Sequence, residues 1–107
     1  MGKAALFLVL AACSTSGGDA TIHAVDCASV TPAATVTTQG LAYAPNALTI
    51  HAGSAVEWTL PPQHDVSSST PGLAVGFGKT ACLVFDEPGT YDYLCSAHGF
   101  TGTVTVQ

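Results

Sequence analysis

From Ala34 onward the chain places apolar side chains at every second position and breaks at short intervals on glycine or proline. Residues two apart share one face of a strand, whereas a helix needs apolar spacings of three and four, and no such spacing is sustained here. "ATVTTQG" reads as a strand ending at Gly40, and "ALTIHAG" as another ending at the Ala52-Gly53 turn. "AVEWTL" is a third, with Val56, Trp58 and Leu60 on one face and Glu57 and Thr59 on the other. Pro61-Pro62 stop it. The stretch from Val66 to Thr80, with Pro71, Gly72, Gly76 and Gly78, reads as loop with room for a short strand or helical turn. "ACLVFD" and "TYDYLC" are joined by a turn at Glu87-Pro88-Gly89, and "GTVTVQ" follows. Six to eight short strands predict an all-β sandwich or barrel, with the residues before Ala34 irregular.

A chain of 107 residues has room for one domain with its own core. Its only basic side chains are Lys3 and Lys79, against seven acids, so no surface can neutralise a run of phosphates and nucleic acid is excluded as a partner. Basic partners are favoured at low ionic strength. "MGKAALFLVLAAC" combines a charge at Lys3 with an apolar run from Ala4 to Ala12, which reads as an export signal too short to anchor stably across a bilayer. Its end, "LAAC", resembles the lipobox of bacterial lipoproteins, which implies that Cys13 becomes the acylated N-terminus. An ordinary signal peptide with an incidental cysteine is the alternative. "STSGGDAT" has the composition of a flexible tether. The expected divisions are a signal peptide over 1–12, a tether over 13–20 and a folded domain over 21–107.

The chemistry concentrates in "YDYLCSAHGFTG". Tyr91, Tyr93 and Cys95 alternate on one strand face, so Cys95 points inward at the strand end and His98 lies in the following loop. A thiolate and an imidazole suit soft or borderline transition metals, and His64, in the loop after "AVEWTL", is the candidate third ligand. Two imidazoles and one thiolate make the trigonal set associated with blue copper; zinc would usually close with four ligands or keep a position for water. The plain alternatives are an ordinary loop histidine at His64 and a small buried hydrophobe at Cys95. His51 reads as surface and His23 as a non-ligand; Asp65 reads as a solvated loop acid whose backbone N–H matters more than its carboxylate, the alternative being a carboxylate that tunes a ligand from beside His64.

From about Thr35 to Gln107 the chain resembles the cupredoxins, the small blue copper proteins of the plastocyanin, amicyanin and pseudoazurin kind. "YAPNALTIHAGSAVEWTLPPQHDV" resembles the family's approach to the first histidine ligand, and "EPGTYDYLCSAHGFTG" its ligand loop. The resemblance implies a Greek-key β-sandwich holding one copper through His64, Cys95 and His98. It also implies single-electron transfer through His98 to a redox protein, such as a cytochrome or oxidoreductase, docked on a rim containing Pro61, Pro62, Gly99 and Phe100. Family members commonly supply an axial methionine three or five positions beyond the second histidine, but the chain's only methionine is Met1. Thr101 occupies the shorter-loop position, and Thr101, the Gln63 carbonyl or water are the expected weak axial contacts.

With Cys13 assigned to lipid and Cys95 to copper, Cys27 and Cys82 remain as the expected disulfide of an exported protein, two free thiols being the alternative. Strand parity agrees, since Leu83 and Phe85 on the inner face leave Cys82 pointing outward and needing cover. The expectation is therefore a monomeric, exported, membrane-anchored lipoprotein, periplasmic or on the cell surface, that carries electrons and is not an enzyme, because no general acid or base beyond Asp65 lies near the motif. Copper sequestration or delivery is the rival function.

Overall fold

The alternating segments fold as strands because each has one face able to leave water. The computed structural model describes residues 21–107. Its strands are β1 (Ile22–Val25), β2 (Ala34–Thr38), β3 (Tyr43–Ala44), β4 (Ala47–Ile50), β5 (Ser54–Thr59), β6 (Thr80–Phe85), β7 (Gly89–Leu94) and β8 (Thr101–Val106). One sheet has the order β1-β6-β5-β2-β3 and the other β4-β8-β7. The β2–β5 and β4–β8 pairs are parallel and the rest antiparallel. The outcome is the expected all-β sandwich.

Val36, Val56, Trp58, Leu83 and Phe85 of the first sheet and Tyr93, Val104 and Val106 of the second are buried in one core. Each large apolar side chain so placed contributes about 1.5–3 kcal/mol relative to exposure. Tyr93 meets Trp58 edge-on at 5.1 Å between ring centroids and Tyr43 at 4.8 Å. Its ring lies across Gly102, its partner in the β7–β8 ladder, where any added Cβ would collide with it. Strand interiors disfavour glycine, and this close approach is the reason for one here.

Two strands depart from the sequence reading. The segment read as irregular contains β1, which extends the first sheet through Ile22↔Phe85 and Val25↔Cys82 pairing. Its sequence, Ile-His-Ala-Val, does not alternate, and only Ile22 is buried. What seats it is tertiary: Gly72, at φ +87°, lies so close that an added Cβ would strike the Ile22 carbonyl. His23 is not idle on this strand, as its Nδ1 pairs with Asp86 Oδ2 at 3.2 Å on the exposed face. β3 is only two residues long and gave no periodic signal.

Beyond β5 the segment from Pro61 to Lys79 is loop, as expected, but it is pinned. Val66 and Val75 exchange backbone hydrogen bonds of 2.9 and 3.0 Å, and Ser67 and Leu94 exchange a pair of 2.8 and 2.9 Å. The second pair ties this loop to the end of β7. Cys27, in a short 3-10 turn capped by Asp26, forms a disulfide with Cys82. Leu83 and Phe85 take the inner face and Cys82 lies outside the main core cluster yet fully covered, which is the parity argument realised. The segments assigned to signal and tether, with Cys13, lie outside the described residues.

Candidate metal centre

The strand alternation that buries Tyr93 also buries Cys95, one residue past β7, at 0% exposure. The chain then turns tightly. The Cys95 carbonyl accepts the His98 and Gly99 N–H groups at 3.3 and 2.7 Å, and the Cys95 N–H donates to the Phe100 carbonyl at 2.9 Å. Gly99 at φ +80° supplies the left-handed conformation that closes the loop. Three-residue spacing thus returns the His98 ring to the cysteine, with Nδ1 3.7 Å from Sγ.

His64 arrives from the other side. A turn in which its N–H donates to the Pro61 carbonyl at 3.2 Å swings it off the end of the β5 strand, and its Nδ1 stands 3.6 Å from Cys95 Sγ. Its Nε2–H donates to the Gly40 carbonyl at 3.1 Å, which leaves the Nδ1 lone pair facing the sulfur. The ligand atoms of His64, Cys95 and His98 all lie within 4.8 Å of one another.

Donor chemistry and spacing both fit a metal. A trigonal centre with bonds of about 2.3 Å to sulfur and about 2.05 Å to nitrogen separates those atoms by about 3.8 Å. The two observed sulfur–nitrogen distances are 3.6 and 3.7 Å. Burial opposes ionisation of the Cys95 thiol, yet the backbone N–H groups of Asp65, Ala97 and His98 and the His64 ring together hold it below the ordinary thiol value. The site therefore favours thiolate, the form that binds metal.

Asp65 corrects the sequence reading. Its backbone N–H does serve the sulfur, but its carboxylate is buried rather than solvated. Oδ1 accepts the Ser96 N–H and Oδ2 the Ser96 hydroxyl, both at 2.7 Å, and the Asp65 carbonyl accepts the buried Tyr43 hydroxyl. One side chain thereby clamps the His64 loop to the Cys95 loop. Removing it in Asp65→Ala leaves the Ser96 N–H without its partner and is expected to cost about 2–3 kcal/mol by thermal unfolding, with Asp65→Asn recovering part of the loss. Equal stability of the alanine variant would show that the clamp is idle.

No family model matches the chain. A curated relative, amicyanin-alpha of Methylorubrum extorquens, is 41% identical over 71 residues, which cover 54% of this chain and 58% of the relative. The match thus spans less than two thirds of the relative's length. The crystal structure of amicyanin from Paracoccus versutus superposes with a TM-score of 0.65 at 24% identity, covering 83% of this chain and 100% of that one. The chain has the cupredoxin fold. The oxidised state of a proline-to-alanine amicyanin variant aligns with a TM-score of 0.62 at 27% identity, over 79% of this chain and 92% of that one. The Cu(I) form of a methionine-to-alanine variant gives 0.58 at 26%, over 79% and 92%.

Within this fold, Phe100 is half-buried against the site, edge-on to His64 at 4.9 Å and stacked with His98 at 6.3 Å between centroids. Of the expected rim, Pro62 and Gly99 are exposed and Pro61 is half-buried. Leu41, beside Gly40, is a further exposed apolar residue that the sequence reading missed. Gln63 is exposed in the turn before His64. Thr101 is not brought into the cluster. Gly102, Val104 and Val106 face inward on β8, so Thr101 faces out and lines a surface depression with Ser67, Asp92 and Leu94.

Proposed function

We propose that this cupredoxin carries single electrons by cycling one copper between Cu(II) and Cu(I) at His64, Cys95 and His98. The observation that carries the reading is the buried Cys95 sulfur flanked by two imidazole Nδ1 atoms at trigonal spacing. Copper bound there supplies a one-electron couple. The protein's part is to hold ligands still. The Gly40 carbonyl fixes the His64 tautomer and the Asp65–Ser96 clamp locks the two ligand loops, so one geometry serves both oxidation states. His98 is exposed while its Nδ1 faces the sulfur, making it the port to a partner. Leu41, Pro62, Gly99 and Phe100 offer that partner an apolar contact, and the chain's net charge of -5 favours a basic redox protein. Amicyanins of this likeness, solved in oxidised and Cu(I) forms, support the same reading.

The rival reading, copper storage or delivery, draws on one observation. The sequence has no methionine besides Met1, and Thr101 faces away, so a copper held by His64, Cys95 and His98 would have no thioether donor to retain it. Reversible one-electron voltammetry of the copper-loaded protein is the expected result. Rapid loss of copper to a chelator without a reversible wave would favour delivery instead.

The N-terminal reading belongs to this proposal too. Export and acylation at Cys13 would tether the domain to a membrane through 13–20, and mass spectrometry of membrane-extracted protein should find a lipid-modified N-terminal peptide beginning at Cys13. An unmodified N-terminus near Ala12 would exclude the anchor.

A further inference from the structure

A second convergence of donor atoms lies outside the copper reading. The sulfurs of Cys27 and Cys82 and a carboxylate oxygen of Glu57 lie within 4.8 Å of one another. Glu57 stands directly opposite Cys82 in the β5–β6 ladder, and Val25 of β1 is opposite Cys82 on the other side. Glu57 as a residue is half-buried, and among the described residues its carboxylate has no hydrogen-bond or ion-pair partner and is free to take a cation.

We infer that Cys27, Cys82 and Glu57 form a second metal site that opens when the disulfide is reduced, holding a d10 cation such as Zn(II) or Cu(I) through two thiolates and one carboxylate. The disulfide takes two electrons and two protons from a protein dithiol, which becomes a disulfide in turn. Metal entry then displaces the two thiol protons, and Glu57 supplies the carboxylate oxygen. Without a cation, two thiolates beside a carboxylate repel one another and the thiols stay protonated; a cation reverses that balance. The donor set of two soft sulfurs and one oxygen matches zinc with an open fourth position, and Cu(I) prefers the same sulfurs.

Reduction does not scatter these donors. Cys82 and Glu57 stay on paired strands, and Cys27 follows β1 by two residues, whose ladder to β6 ends at the Val25↔Cys82 pair. The intervening Asp26 caps the 3-10 turn that presents Cys27, accepting the Ala28 N–H at 3.0 Å. Two thiolates on one tetrahedral metal stand about 3.8 Å apart, a separation that side-chain rotation at adjacent positions provides.

The test uses the full chain carrying Cys13→Ser and Cys95→Ser, which leaves Cys27 and Cys82 as its only cysteines. Cd(II), whose thiolate bonds absorb in the ultraviolet, is titrated with and without phosphine reduction. The reduced chain is expected to bind one Cd(II) with thiolate absorption and the oxidised chain none, and Glu57→Gln should weaken that binding at least tenfold. Absence of thiolate absorption on the reduced, folded chain would overturn the site. So would equal affinity in Glu57→Gln, the behaviour of an unstructured dithiol. Should Cys95→Ser fail to fold, the reduced chain with Cys95 intact is expected to bind one more Cd(II) than its Cys82→Ser variant, and equal stoichiometry overturns the proposal.

Discussion

Equimolar Cu(II) added to the reduced, demetallated protein is expected to give an intense visible thiolate-to-copper band, and Cys95→Ser is expected to abolish it. The band requires a sulfur that is both ionised and close to the metal. Backbone N–H groups from two different loops converge on Cys95 Sγ and favour its thiolate despite burial. His64 and His98 stand at nearly equal distances from that sulfur, 3.6 and 3.7 Å, so a metal held by the rings also meets the thiolate. Serine keeps the size but offers a hard oxygen that stays protonated near neutral pH. His98→Ala should weaken copper binding while leaving some thiolate absorption, because His64 is the buried, hydrogen-bonded imidazole and His98 the exposed one. A wild-type protein without the band would end the blue-copper reading.

Replacing both Cys27 and Cys82 with alanine is expected to cost about 4 kcal/mol, the chain-entropy value for a bridge between cysteines that are 55 positions apart in sequence. Against a total of about 5–15 kcal/mol for a domain of this size, that is a large share. The melting temperature should fall by about 15–30 °C in a calorimetric scan. The β1–β6 ladder and the Gly72 contact remain and keep the variant folded in the cold. A loss below about 1 kcal/mol would show that these contacts alone hold the N-terminal strand.

What the sequence disclosed followed from short-range regularity. Period-two burial gave β2, β4, β5, β6, β7 and β8, and with them the inward direction of Cys95. β1 escaped because its order comes from Gly72 and Phe85, far along the chain, rather than from its own pattern. The Asp65 carboxylate escaped for the same reason: its partner Ser96 is 31 positions away, and an acid beside a loop histidine looks solvated until the second loop is in place. Gly40 contributes only a carbonyl, which no side-chain pattern announces. Thr101 is different, because its direction was readable. Aligning it with a family thioether used loop spacing alone, whereas the alternation of "GTVTV" already turned Gly102, Val104 and Val106 inward and Thr101 outward.

The pairing of β4 with β8 sets the order in which the molecule can assemble. Ala47–Ile50 touches no other strand of its sheet, and its parallel partner is made roughly half a chain later. β7 also meets β8, so the smaller sheet has no stable pair until residues 101–106 leave the ribosome. Until then β4 and β7 have the first sheet to pack on but no strand between them to pair with, and the loop from Cys95 to Phe100 has only one of its two flanking strands. Folding with such distant closure belongs to the slow, millisecond-to-second class. A nascent chain arrested before Thr101 would therefore lack a closed second sheet.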